Sequence, residues 1–378
     1  MRILWLAHRD MKNPKAGGAE RTILEVGRRL VNDGHEVTLL TGGFKGCNKV
    51  DKIDGINVLR YGRKIGIHLV VPILLIKNSY DLVINDLGHA VPWPSTFLEK
   101  GKRVVFFRHL HARSLPGQVN PILAKIITAV EKTYPIIYRD TPFVTESSTS
   151  RNDLLKMSIK GENIEVIPPG VDHERFKPGE KTEFPSLVYF GGMREYKRPE
   201  VSIYLTYELS KIFPDIRLYF VGDGQGIEKV KRLTSELGIE SNVQFMGKLE
   251  DDILASTVTE SWINIHSSVT EGWAYSVLES ASAGTPTVAY DVPGISDSIL
   301  NGQNGIKVKN GNLHDLLDAA LMILDDPLQW WVSAHEVAEE YGWNETVRSW
   351  ERLILEIQNR SNFWVSENLK PIDGEHRT

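Results

Sequence analysis

The sequence has a single cysteine, Cys47, so no disulfide framework can form within the chain and a reducing compartment is the expected setting. Long apolar runs are also missing. The longest, Ile65 to Ile76, spans twelve residues and is interrupted by Gly66, His68 and Pro72, whereas a membrane-crossing helix needs about 20. Met1 to Ala7 carries one basic residue and too few apolar residues before His8 for a secretory signal. That segment reads as a buried strand, and the chain is expected in the cytoplasm. Aromatic residues do not interleave with the basic clusters as a base-stacking platform requires, which argues against a nucleic-acid partner. No Asp-x-Asp pair stands at a strand end, so no essential metal and no other cofactor is expected.

What is present is a globular composition, 41% hydrophobic and 25% charged over 378 residues, long enough for two domains. Charge is unevenly shared. Residues 1–170 hold 25 Lys+Arg against 16 Asp+Glu, and the remainder 19 against 33. A basic first half suits an anionic acceptor or peripheral contact with an acidic membrane surface at its cytoplasmic face; a solvated basic face is the plain alternative.

Short apolar runs alternate with helix-like periodic stretches, which predicts an α/β fold with parallel sheets covered on both faces. Strands are expected at 2–7, 36–41, 81–85, 103–108, 143–146 and 165–167, with helices at 19–33 and Gln118 to Ile137, the latter broken near Pro135. Pro168-Pro169-Gly170-Val171-Asp172 through Lys177-Pro178-Gly179 disfavours regular structure and reads as a linker. The alternation then restarts, with strands at 187–190, 217–221, 243–245, 263–265 and 287–290 and helices at 199–213, 227–237, 251–256, 274–283 and 312–325. Three units follow: 1–170, 171–343, and a closing segment 344–378 in which Asn344 to Ile357 puts Val347, Trp350, Leu353, Ile354 and Ile357 on one stripe of a helix returning to the first domain. Two doubly wound sheets would face each other across a crevice at the carboxyl ends of their strands.

The strongest chemical signal is Glu271-Gly272-Trp273-Ala274-Tyr275-Ser276-Val277-Leu278-Glu279, two carboxylates flanking a helix start just after a buried strand. Free amides at such a start bind phosphate, and carboxylates accept hydrogen bonds from vicinal sugar hydroxyls. Alternatively, Glu271 caps the helix and Glu279 is solvated.

With that segment in view the chain resembles the retaining family-four glycosyltransferases of the GT-B fold (glycosyl transferases group 1), a group that includes phosphatidylinositol mannosyltransferases and sucrose synthases. The landmarks run in order: Gly17-Gly18-Ala19-Glu20, Gly34-His35-Glu36-Val37, Val166 through Asp172, Val221-Gly222-Asp223-Gly224, the paired glutamates, and Gly284-Thr285-Pro286-Thr287-Val288.

The resemblance implies a hexose moved from a nucleotide-diphosphate sugar to a sugar or lipid-linked acceptor. Glu271 would contact the donor hexose and Glu279 the ribose. The amides of Gly272, Trp273, Ala274 and Tyr275 would hold the distal phosphate, Lys197 the diphosphate, and Gly247 and Lys248, in Phe245-Met246-Gly247-Lys248, the base. Gly17 and Gly18 would allow close approach to donor phosphate or acceptor. His109 would stand beside the anomeric carbon, with His111 as runner-up. The family usually has arginine directly after the strand's glycine; this chain has Gly192 there and Arg194 two residues on, so Arg194 would supply that cation. Retention would proceed without a covalent enzyme intermediate. Two other functions share the architecture, a non-catalytic nucleotide-sugar-binding partner and a nucleotide-sugar epimerase.

Overall fold

A computed structural model of the protein describes residues 1–63, 66–95, 102–115, 119–224 and 226–368, with side chains as far as 359. The expected positions at Ile65, at Gln118 and in the tail from 369 lie outside the described residues. Two sheets build the molecule. The first contains β1 (Arg2–Leu6), β2 (Glu36–Thr41), β3 (Val50–Ile53), β4 (Ile56–Arg60), β5 (Leu82–Leu87), β6 (Arg103–Phe107), β7 (Phe143–Thr145) and β8 (Ile164–Val166), in the order β3-β4-β2-β1-β5-β6-β7-β8. The second contains β9 (Ser186–Phe190), β10 (Arg217–Val221), β11 (Val243–Gly247), β12 (Ile263–His266), β13 (Thr287–Tyr290) and β14 (Gly305–Val308), in the order β11-β10-β9-β12-β13-β14. Every pairing is parallel except β3 with β4. That antiparallel hairpin was not expected. It turns at Asp54 and Gly55, both with positive φ (47° and 85°), the backbone that an Asp-Gly pair favours in two-residue hairpins.

Among the described residues, thirteen helices cover the sheets: α1 (Gly18–Asn32), α2 (Gly66–Lys77), α3 (Pro121–Glu131), α4 (Tyr134–Ile137) and α5 (Ser148–Lys156) in the first lobe. In the second are α6 (Glu200–Ser210), α7 (Ile227–Glu236), α8 (Asp251–Glu260), α9 (Tyr275–Ser282), α10 (Ile295–Ser298), α11 (Leu313–Asp325) and α12 (Pro327–Glu339), and α13 (Trp343–Asn368) closes the chain. The break expected near Pro135 separates α3 from α4. The break falls at Lys132 and Thr133, and Pro135 sits in the first turn of α4, where its missing amide costs nothing.

The first sheet's two faces are covered separately. Ile23, Val26 and Leu30 of α1 join Val347, Trp350, Leu353, Ile354 and Ile357 of α13 over one face; α2, α4 and α5 cover the other. The closing helix runs on to Asn368 rather than ending near Ile357, because no proline or glycine interrupts residues 359–368. Trp350, 1% exposed, has its ring 5.5 Å from that of Trp5 and 5.1 Å from that of Phe106. Trp350→Ala is expected to cost about 3–5 kcal/mol, read as a fall in the urea midpoint; an unchanged midpoint would show that α13 contributes little to the first lobe.

The chain crosses between lobes twice. Val171 bridges Gly342 in parallel and its amide donates to the Tyr341 carbonyl at 2.9 Å. A Cβ on Gly170 would lie 2.3 Å from the Trp343 nitrogen, so the two crossings are packed side by side.

Candidate active site

Each sheet reverses its strand order once, between β9 and β12 in the second and between β1 and β5 in the first. Loops leaving the carboxyl ends of such neighbouring strands part company and open a crevice. The loop after β9 carries Arg194 and Lys197; the loop after β12 carries Glu271 to Ala274.

These two second-lobe loops are stitched together. The Ser267 hydroxyl donates to the carbonyls of Lys197 and Arg198 at 2.8 Å each, and the Val269 amide donates to the Tyr196 carbonyl at 2.8 Å. Arg198, which the sequence did not single out, donates from Nε to the Ser267 carbonyl at 2.8 Å. The result places Lys197 Nζ 2.8 Å from Glu271 Oε1, with side chains 22% and 12% exposed. Ser268 Oγ donates to the same oxygen at 2.7 Å. Burial pushes the Glu271 carboxyl up, but Lys197, His266 and these hydrogen bonds outweigh it and hold the group below the usual range. Burial likewise pulls the Lys197 ammonium down, and Glu271 more than reverses that. Both groups are therefore charged at neutral pH. The Glu271 backbone is fixed by its amide donating to the Pro293 carbonyl at 2.9 Å. Beneath it, Gly294 has φ +81°, and a Cβ there would lie 2.3 Å from the Glu271 carbonyl oxygen, so only glycine fits. Glu271 thus does not cap α9.

Helix α9 starts at Tyr275, one residue later than expected, and no side chain caps it. Helices α3, α5 and α11, by contrast, begin under Asn120, Ser147 and Asn312. An uncapped start leaves first-turn amides available for an anion. Trp273 is 5% exposed and its ring faces that of Tyr341 at 5.9 Å, so its backbone alone can face a ligand. Glu279 lies further along α9. Burial raises its carboxyl above the usual range, Asp251 adds to this, and Arg21 of the first lobe opposes it.

Tyr275 reaches across to the first lobe. Its hydroxyl donates to the Glu146 carboxylate and lies 2.5 Å from Thr22 Oγ1. Its ring packs on Gly18 so closely that a Cβ there would fall 2.5 Å from Cδ2. The close approach expected at Gly17 and Gly18 is thus taken up, at Gly18, by this ring. Glu146 also receives Arg108 Nη1 at 2.8 Å, and Arg108 Nη2 lies 2.7 Å from Asp86. A second bridge joins Asp297 of α10 to the amide of Ser148 at 2.8 Å and to Thr149 at the start of α5. Sequence reasoning missed Glu146, Arg108 and Asp297; no local motif marks a charge whose partner is far along the chain.

His109 follows the end of β6, with its Nδ1 against Gly272, 3.2 Å from where a Cβ would be, and its ring is 4.8 Å from that of His111. His111 is instead tied to Glu131, through its amide at 2.6 Å and Nδ1 at 3.2 Å. Burial, helped by His111, lowers His109 to about 3. Burial first also lowers His8 to about 2 and His266 to about 4. All three are neutral in the fold, while the unfolded chain takes up protons near pH 6.5. Below that pH the unfolded state binds more protons, so stability present at pH 7 is lost as pH falls. The urea midpoint should drop between about pH 7 and pH 5; a flat profile would mean that these imidazoles are charged in the fold.

Arg194, Gly247 and Lys248 are exposed. Gly247 has φ +66° and its carbonyl accepts from the Gly222 amide at 2.7 Å, joining the ends of β11 and β10. Among the described residues, the only cluster with metal-ligand spacing is His314, Asp315 and Asp318 on α11, none of which belongs to these loops. No helix among the described residues is long and apolar enough to cross a membrane.

Two family profiles match, Glycosyltransferase Family 4 over residues 16–175 and Glycosyl transferases group 1 over 171–343. An uncharacterized glycosyltransferase of Haemophilus influenzae is 23% identical over 353 residues, covering 90% of this chain and 96% of the relative. In fold, the chain is similar to sucrose-phosphate synthase from Thermosynechococcus elongatus (TM-score 0.80, 17% identity, 94% of this chain and 98% of that one). It is also similar to HepE of Anabaena, solved with UDP and glucose (TM-score 0.72, 18% identity, 94% and 100%). The paired sheets, the cleft between their reversal points and the two profiles agree: the chain belongs to the group 1, family-four glycosyltransferases and is an enzyme of that class with the GT-B fold.

Proposed function

We propose that the enzyme moves a hexose from a nucleoside-diphosphate sugar to a hydroxyl of a sugar or lipid-linked acceptor, with retention of configuration and without a metal. The observation that carries this reading is the Lys197–Glu271 pair at 2.8 Å beside the uncapped start of α9. A donor entering here exchanges that pair for two better-matched partners: Glu271 accepts from hexose hydroxyls, while Lys197 and the amides of Gly272 to Tyr275 take the diphosphate. HepE of Anabaena was solved with UDP-glucose as well as with UDP, which supports a nucleotide-sugar donor. Glu279 would hold the ribose, Gly247 and Lys248 the base, Arg194 a phosphate oxygen, and Gly17 the phosphate side facing the first lobe.

In the transfer step the bond from the anomeric carbon to the phosphate oxygen breaks and a bond to the acceptor oxygen forms on the same face. The leaving phosphate takes the acceptor proton, and negative charge growing on it is met by a fixed ammonium and helix amides. His109, held neutral, lines the first-lobe side with its carbonyl and ring. Glu271 does not act as a nucleophile, because it is occupied by hydroxyls.

Calorimetric titration with UDP, GDP and the parent nucleosides tests the site. Lys197→Ala should weaken the diphosphate about 10- to 100-fold, equivalent to the 1.5–3 kcal/mol of a hydrogen bond to a charged group, and leave nucleoside binding unchanged. Equal weakening of both, or none, would place the diphosphate elsewhere.

A further inference from the structure

Helices α2 and α3 pose a problem for a water-facing surface. Helix α2 has only His68 and Lys77 as polar residues over its twelve positions. It buries Ile67, Val71 and Leu75 against the sheet, yet leaves Leu69 75%, Ile73 54% and Ile76 80% exposed. Helix α3 buries Glu131 and no aliphatic, leaving Ile122 74% exposed and Leu123 and Ile126 close to half, and Ile136 of α4 is 79% exposed. A helix apolar on all sides is normally covered, and clustered exposed aliphatics mark a contact surface.

Helices α2 and α4 share one layer on the first sheet, and α3 runs into α4 through Lys132 and Thr133. The segment 90–93 is gripped from both sides: His68 of α2 stacks on Trp93 with ring centroids 4.4 Å apart. On the other side, the Tyr134 hydroxyl of α4 donates to the Ala90 carbonyl at 2.7 Å, and Trp93 N donates to Tyr138 at 2.8 Å.

The charge of this layer selects the partner. Glu131 is the one acid in α2 and α3, and it is buried on His111. Lys77, Lys125 and Lys132 are exposed, and among the described residues none of them pairs with a carboxylate. A two-fold dimer through this patch would set these ammoniums against their own copies, whereas anionic lipid headgroups would neutralise them while the aliphatics enter the headgroup–acyl boundary.

We propose that the outer faces of α2 and α3 dock the enzyme on an anionic bilayer. The two docking helices also supply His68 and Glu131, which stack on or hold side chains at the first-lobe wall of the cleft, so the site opens next to the lipid surface.

Sedimentation with vesicles tests this without any turnover, so its outcome is separate from that of the transferase reading. The protein should pellet with equimolar phosphatidylcholine and phosphatidylglycerol at low salt, stay in solution with phosphatidylcholine alone, and be released by high salt. Leu69→Ser, Ile73→Ser and Ile76→Ser together should abolish pelleting with the unfolding midpoint kept. Lys77→Glu, Lys125→Glu and Lys132→Glu together should weaken it by at least about a hundredfold, at roughly fivefold per lysine. The proposal falls if the wild type ignores anionic vesicles, if either triple variant binds as the wild type does, or if light scattering shows a dimer that the serine variant breaks apart, which would assign the face to a second copy.

Discussion

Glu271→Gln is expected to lower kcat/KM for sugar transfer by about 100- to 1000-fold, the loss measured when one preorganised partner of a reacting centre is removed. The substitution keeps the shape and removes the charge. Glu271 Oε1 receives both Lys197 and Ser268, and an amide can satisfy the serine but leaves the ammonium without a counter-ion. Two effects compete for what an assay would read. Loss of the ion pair destabilises the loop, but both side chains keep some exposure and water can partly replace the lost partner. Loss of the charged acceptor proposed for hexose hydroxyls would act on the reacting sugar itself and is expected to be the larger effect. Nucleoside-diphosphate affinity should therefore survive while turnover falls. If kcat/KM stayed within about threefold of wild type, Glu271 would have no part in holding the sugar.

Arg108→Met should destabilise the first lobe by about 3–5 kcal/mol, the range for removing one member of a buried charge cluster. The guanidinium lies 2.7 Å from Asp86 and 2.8 Å from Glu146, donates to the Ala19 carbonyl at 3.1 Å, and its centre sits 3.7 Å over the Phe106 ring. Methionine keeps much of the packing but strands two carboxylates in a dry interior. Burial alone would pull the guanidinium down; the two acids reverse that and raise it. Adding Glu146→Gln to the variant should recover part of the loss, because one of the stranded charges is then gone. A urea denaturation cycle measures both terms. Simple additivity would show that Arg108 and Glu146 do not act as a unit.

The parallel sheets were legible because short apolar runs stand between periodic helices, as Arg2–Leu6 and Ser186–Phe190 illustrate. The β3–β4 hairpin escaped despite its Asp54-Gly55 signal, since the flanking Val50–Ile53 sets two adjacent charges between its aliphatics and so shows neither an apolar run nor a strict alternation. At the site, Glu271 and Lys197 could be singled out because each lies next to a recognisable strand end. Their 2.8 Å pairing could not be read, because 74 residues separate them and only the reversed strand order brings their loops together. Glu146, Arg108 and Thr22 were invisible for the same reason: each looks ordinary beside its own neighbours, and only Tyr275 arriving from the other lobe gives them a common purpose.

The side-by-side passage of residues 170–171 and 341–343 constrains how the enzyme breathes. A single tether would let the lobes swivel in any direction, but two backbones hydrogen-bonded to each other resist twist and leave bending as the soft motion. Substrate exchange then becomes a jaw-like swing, and the bond from the Tyr275 hydroxyl to Glu146 is one of the contacts between the lobes that it must break. Under the proposed transfer, a spent nucleotide can leave no more often than that contact breaks.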